Sequence, residues 1–188
     1  MLYIPRNTPI KCIAPLAYIS FLIKYRGEEL TTQEILFRMN YENNEYNRRW
    51  LNTRISQLAD TKAIHAEAVG QNKYKFSAAK YAPGTFYQCD FKDIERIMGI
   101  SDQCNNADLA GYYAVLCSTI NKATGVGHFK INSLVTLSGI NRATILKYNR
   151  ILEEHKIIYI VHSRKKGVAN YYGLYEDKKK VDGEAFLC

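Results

Sequence analysis

The chain has 188 residues and a formal net charge of +8, with 47% apolar and 12% aromatic residues. So much apolar and aromatic material excludes wholesale disorder, and the length suits one large domain or two small ones. The basic surplus points to a polyanionic partner, nucleic acid or an anionic membrane surface, and says nothing about fold.

The apolar run Cys12 to Ile23 is too short to span a bilayer. Lys24, Tyr25 and Arg26 follow it where a secretory leader would place a small-x-small cleavage site, so the run is predicted to be a buried helix. That helix is expected from about Pro15 to Tyr25, with proline in its first turn. A turn follows at Arg26-Gly27, then a short helix from Thr32 to Met39 with Thr31 or Thr32 as cap and Glu34 nearby. Asn40 to Asn44 is a polar break before a longer helix from Glu45 to about Thr61. Two β-like runs, Ala63 to Val69 and Lys73 to Phe76, flank Gly70-Gln71-Asn72.

The Pro83-Gly84 pair makes residues 81–85 a linker. Phe86 to Phe91 reads as a strand and Lys92 to Met98 as a short helix that introduces a second unit. That unit repeats the first. A helix runs from about Asp108 to Lys122, and Ala123 to Gly127 is a turn. A short helix, Asn132 to Ser138, ends at Gly139. Asn141 then caps a helix from Arg142 to about His155, and strand-like Ile157 to His162 and Tyr171 to Tyr175 flank the loop Ser163 to Asn170. Residues 176–188, with Lys178-Lys179-Lys180, read as a peripheral tail.

A shift of 94 positions lays Asn47-Arg48 on Asn141-Arg142, Leu51 on Ile145, Leu58 on Leu152 and Ile64 on Ile158. Residues 51, 55, 58 and 145, 148, 152 recur at three- and four-residue steps, as one buried helical stripe requires. Three helices closed by a hairpin is the order of a winged helix. The expected fold is mainly α with small β-hairpins (α+β): two winged helix-turn-helix domains in tandem, residues 1–80 and 86–175, with linker 81–85 and tail 176–188.

In such a motif the third helix enters the major groove. If Ile145, Tyr148 and Leu152 face the core, Arg142, Ala143, Lys147 and Arg150 face outward. Residues 141–150 hold three cations and no acid, and acids arrive only at Glu153 and Glu154. Asn141, Arg142, Thr144, Lys147 and Arg150 are therefore the candidate groove contacts. Arg164, Lys165 and Lys166, at the expected hairpin tip beside Gly167, are candidate phosphate contacts. Arg48, Arg49, Asn52 and Arg54 are their counterparts in the first unit, where Tyr46 and Trp50 would serve a protein contact equally well. Both units are basic: residues 1–80 carry net +5, residues 81–175 net +4, and the tail net −1.

Enzyme signatures are missing. Gly125-Val126-Gly127 lacks the Lys-Ser/Thr of a phosphate-binding loop, no H-E-x-x-H occurs, and His65, His128, His155 and His162 stand alone. Cysteines 12, 89, 104, 117 and 188 include no CxxC, which argues against a disulfide framework and a zinc site and for buried thiols in a reducing cytoplasm. No catalytic residue, metal or cofactor is expected, and no membrane partner, since no amphipathic basic helix is long enough.

The phrase Gly139-Ile140-Asn141-Arg142-Ala143-Thr144-Ile145 through Leu152-Glu153-Glu154-His155-Lys156-Ile157-Ile158, with the preceding helix 108–122 and Phe86 to Phe91, resembles the winged-helix domains of replication initiators and replisome-loading proteins from bacterial plasmids and phages. Similar phrasing occurs in many one-domain transcription regulators. The resemblance covers about 90 residues of the second half and implies sequence-specific binding of double-stranded DNA by residues 141–150 and the wing, in replication initiation or transcription regulation. Initiators often pair two such domains, and DNA-binding winged helices are commonly homodimers, so a homodimer and contacts with replication or transcription proteins are expected. The other reading is a winged-helix adaptor that binds protein without reading DNA.

Overall fold

The computed structural model describes residues 2–78, 86–101, 105–121, 123–163 and 168–177. The chain is α+β, with seven α-helices and three small antiparallel sheets among the described residues. It divides into two compact units, Met1–Gly111 and Tyr112–Cys188.

The first unit opens with strand β1 (Leu2–Pro5) and helix α1 (Ile10–Arg26). α1 starts a turn and a half before the sequence suggests: Pro9 is its N-cap residue, with the Cys12 amide donating to the Pro9 carbonyl at 2.8 Å. Pro15 therefore lies inside the helix rather than in its first turn, where its missing N–H leaves the Lys11 carbonyl without its helical donor. Every residue from Cys12 to Ile19 is buried. A helix apolar on all faces is stable only with neighbours all round, and α1 is the central rod of its unit. Gly27 ends it at φ 102°, a conformation that suits glycine.

Strand β2 (Glu29–Thr31) leads into helix α2 (Thr32–Arg38). Thr31 is the N-cap and forms a complete capping box: its Oγ1 accepts from the Glu34 amide at 3.2 Å, and a Glu34 carboxylate oxygen accepts from the Thr31 amide at 2.8 Å. The Thr31 amide, with the Thr31 hydroxyl and Arg26, holds the Glu34 carboxyl below its usual range despite partial burial. Helix α3 (Glu45–Asp60) follows, capped by Asn44, then strands β3 (Ile64–Gly70) and β4 (Lys73–Ala78). The sheet order is β2-β4-β3, with the register of β3 shifting between Ala68 and Gly70.

Strand β5 (Phe86–Cys89) and helix α4 (Phe91–Met98), expected to introduce the second unit, lie with the first. β5 pairs with β1, Leu2 opposite Cys89 and Pro5 opposite Phe86. The Phe91 ring stacks on Phe21 of α1 at 4.5 Å and meets Tyr18 edge-on at 5.2 Å. The expected linker 81–85 is outside the described residues. Helix α5 (Asn106–Thr119) contains the boundary between the units, after Gly111. A side chain at Gly111 would run into the backbone of Ile10, which explains why nothing larger sits there.

After α5 come strand β6 (Val126–Phe129), helix α6 (Ile131–Ser138), helix α7 (Arg142–Glu154) and strands β7 (Ile158–Val161) and β8 (Asn170–Leu174), with sheet order β6-β8-β7. The expected turn Ala123 to Gly127 thus runs into a strand. In chain order helix, strand, helix, helix, strand, strand occurs twice. Each time the strand before the second helix pairs with the last strand and leaves the middle one at the edge. Among the described residues no helix is long and apolar enough to cross a membrane.

Candidate nucleic-acid interface

The α6–α7 corner is built from short-range chemistry. Gly139 closes α6 in the left-handed region at φ 67°, its amide donating to the Val135 carbonyl at 2.8 Å. A β-carbon there would meet nothing, so the backbone conformation and not space selects glycine. The buried Ser138 hydroxyl donates to the Leu134 carbonyl and accepts from the Ile140 amide. Asn141 then caps α7 by accepting from the Thr144 amide at 2.9 Å. Three residues, Gly139, Ile140 and Asn141, join the two helices.

Ile145, Tyr148, Asn149, Ile151 and Leu152 are buried on one side of α7. Asn141, Arg142, Ala143, Leu146, Lys147 and Arg150 are exposed, and Thr144 is half-buried. The cationic side expected from the sequence is thus the solvent side. Arg142 reaches back to α6, its Nη1 donating to Asn132 Oδ1 at 3.0 Å, which fixes the guanidinium at the mouth of the turn against a neutral partner. Arg150 pairs with Glu154 at 3.6 Å, both well exposed. This i,i+4 spacing was legible in the sequence and tempers the cationic character of the helix end.

Asn149 adds a feature the sequence did not announce. It is polar yet buried, and it accepts from the Tyr112 hydroxyl of α5 at 2.7 Å. Burial pushes the Tyr112 phenol far above its ordinary range, so it stays a neutral donor. This bond sets the rotation of α7, and hence the side that carries Arg142 and Lys147. At the hairpin that follows, the Ser163 amide donates to Asn170 Oδ1 at 3.1 Å and closes the base of the β7–β8 loop. Arg164, Lys165 and Lys166 lie outside the described residues.

α3 presents its cations differently. Leu51, Ile55 and Leu58 are buried as expected. Arg48 donates to the Asn43 carbonyl and side chain, and Arg49 pairs with Glu45 at 2.5 Å. Arg54 donates to Gln57 at 2.7 Å and sits over the Trp50 ring at 5.7 Å, and Asn52 accepts from the Tyr74 hydroxyl. Every candidate contact of the first unit is thereby engaged by its own unit. The most exposed large side chains here are aromatic: Phe37 on α2 is 80% exposed and Tyr46 on α3 77%. Tyr46 was picked out from the sequence. Phe37 was not, although its place off the buried Ile35, Leu36 and Met39 stripe is the signal that finds it.

Burial pushes the Cys12 thiol up to about 11 and the Cys89 thiol up to about 12. Among the described residues no three His, Cys, Asp or Glu side chains gather as a metal site would require. No protein-family model matches the chain, and no curated protein compared with it is similar enough to count as a match.

Proposed function

We propose that the chain is a tandem winged-helix protein that binds double-stranded DNA, with α7 as the groove-reading helix and the β7–β8 loop as its wing. The single observation that carries this reading is the exposed, acid-poor side of α7, Arg142 to Arg150, set behind a glycine turn and an asparagine cap. The twofold occurrence of helix, strand, helix, helix, strand, strand, with the last strand central in each three-stranded sheet, supports the winged-helix assignment. Asn141, Arg142, Thr144 and Lys147 would face base edges, and Arg164, Lys165 and Lys166 the phosphates. On α3, Arg49 is paired with Glu45 and Arg48 and Arg54 are held by Asn43 and Gln57, so the first unit would add non-specific charge or hold a second copy of the chain. A role in plasmid or phage replication initiation or in transcription regulation follows from the resemblance described above.

Selection of bound sequences from a random duplex library at physiological salt tests the reading directly. A consensus should emerge, and Arg142→Ala should relax it at one position at a cost of about 1–3 kcal/mol. Lys165→Ala should weaken all duplexes alike and lower the salt slope by about 1. Affinity indifferent to salt would remove phosphate contact, and the proposal with it.

The exposed Phe37 and Tyr46 favour a second reading, an adaptor that docks a protein through the first unit. A duplex library returning no consensus, together with binding of one protein lost on Phe37→Ser, would select it.

A further inference from the structure

A cleft of about 550 Å³ in the first unit opens between β1, α1, the end of α2 and the start of α4. It is far from the candidate groove contacts in sequence, and nothing in the duplex reading uses it. Its floor is aromatic: Phe21 and Phe91 lie stacked with their planes 8° apart, and Tyr25 leans on Phe21 at 4.6 Å. Two of its rings are well exposed, Tyr25 at 63% and Tyr3 at 55%.

The charges of the cleft divide into spent and unspent. Arg38 lies over the Phe21 ring at 5.1 Å and pairs with Glu95, so these two neutralise each other. Asp90 accepts from the Lys92 amide as the cap of α4. Lys24, 5.5 Å from the Tyr25 ring centre, and Lys92 both line the cleft and have no carboxylate partner among the described residues. Stacked rings offer a flat apolar surface of the depth a heteroaromatic ring fills, and two ammonium groups offer sites for an anion. A purely apolar guest would leave both lysines idle, and an inorganic anion would leave the rings idle.

We infer that this cleft takes a nucleotide, its base stacked against Tyr25 and Tyr3 and its phosphate held by Lys24 and Lys92. The same chemistry is offered by a free mononucleotide and by a base of single-stranded DNA, for which stacking on aromatic side chains is the sequence-tolerant mode of binding.

The test uses the full chain and separates stacking from charge. Binding of a fluorescein-labelled thymidine 10-mer is compared with that of an abasic 10-mer of equal phosphate count, and dAMP and dTMP are used as competitors. The 10-mer should bind about tenfold more tightly than its abasic analogue, a preference that Tyr25→Ala removes, as expected from the cost of losing one stacking platform. Lys92→Glu should weaken both oligomers several-fold. Competition at micromolar mononucleotide would mark a free nucleotide as the occupant, and competition only by strands would mark single-stranded DNA. Both Tyr25 and Lys92 are exposed, so neither variant threatens the fold. No preference for bases over abasic sugar, or a preference untouched by Tyr25→Ala, overturns the inference. Arg142→Ala separates it from the duplex reading: duplex binding should fall while the base preference stays.

Discussion

The two third helices follow one plan and part company at one buried position. α3 and α7 align at a shift of 94 residues, and Leu51, Leu58, Ile145 and Leu152 all lie in their cores. The same shift places Tyr18 of α1 on Tyr112 of α5, and Ile55 of α3 on Asn149 of α7. In the first unit the tyrosine meets Phe91 edge-on and the position matching Asn149 is Ile55; in the second the tyrosine hydroxyl is bonded to an asparagine. An apolar contact tolerates sliding and rotation, whereas a buried hydrogen bond is satisfied in one geometry only. The helix that carries the polar bond is also the one whose three cations, Arg142, Lys147 and Arg150, are all exposed. The contrast teaches that a shared scaffold can hold one helix in a set orientation and leave its counterpart to be covered by its own side chains.

The largest effects should show the two stripes to be equivalent. Leu58→Ala and Leu152→Ala should each cost about 2–5 kcal/mol, read by urea denaturation followed by circular dichroism. A loss confined to one of them would break the parallel. Next in size is the polar bond itself. Tyr112→Phe should cost about 1–3 kcal/mol by orphaning Asn149. The double change Tyr112→Phe with Asn149→Leu should recover part of that loss while lowering duplex affinity. Tyr18→Phe in the first unit, where Phe91 supplies the contact, should cost less than Tyr112→Phe.

The helix order, the boundaries of α2, α3, α6 and α7 and the exposed side of α7 were all legible beforehand, because they rest on local signals: Thr31 with Glu34, Asn44, Gly139, Asn141 and three- and four-residue apolar spacing. β1, β2 and β6 were not. Strands of three or four residues, such as Glu29–Thr31, are too short to display alternation, and they exist only because a distant strand offers hydrogen bonds. The strand and helix of Phe86 to Met98 were legible, but not their packing on Leu2–Pro5 and Phe21, which lie far away in sequence. Proline misled at α1 because residue 15 looks like a start signal, while burial of the whole rod overrides the local penalty. For the candidate site, side-chain identity revealed where cations stand on α3 but not that Asn43, Glu45 and Gln57 occupy them. Only the i,i+4 pairs Glu45–Arg49 and Arg150–Glu154 were within reach of the sequence.

Smaller effects sharpen the contrast at the second helices. α2 begins with a full capping box, whereas α6 begins at Lys130 with no side-chain cap. Thr31→Ala should cost about 1 kcal/mol, and Lys130→Ser should stabilise the second unit by a fraction of that, both read as melting shifts. The smallest is a pH effect. The Glu34 carboxyl titrates below its unfolded range, so its contribution is complete at neutral pH and is lost as acid protonates the folded carboxylate. Wild type should therefore lose stability between about pH 5 and 3 more steeply than Glu34→Gln, in a denaturation series across that range.

The pairing of β1 with β5 carries a consequence for how the protein is made. Residue 2 leaves the ribosome well before residue 89, so its strand waits for a partner, and Phe21 waits for Phe91. The first unit therefore cannot finish folding as it is synthesised until residue 91 has emerged. A fragment cut at residue 80, where composition alone would cut it, would carry an unpaired strand and an uncovered ring, and would be the form most inclined to aggregate.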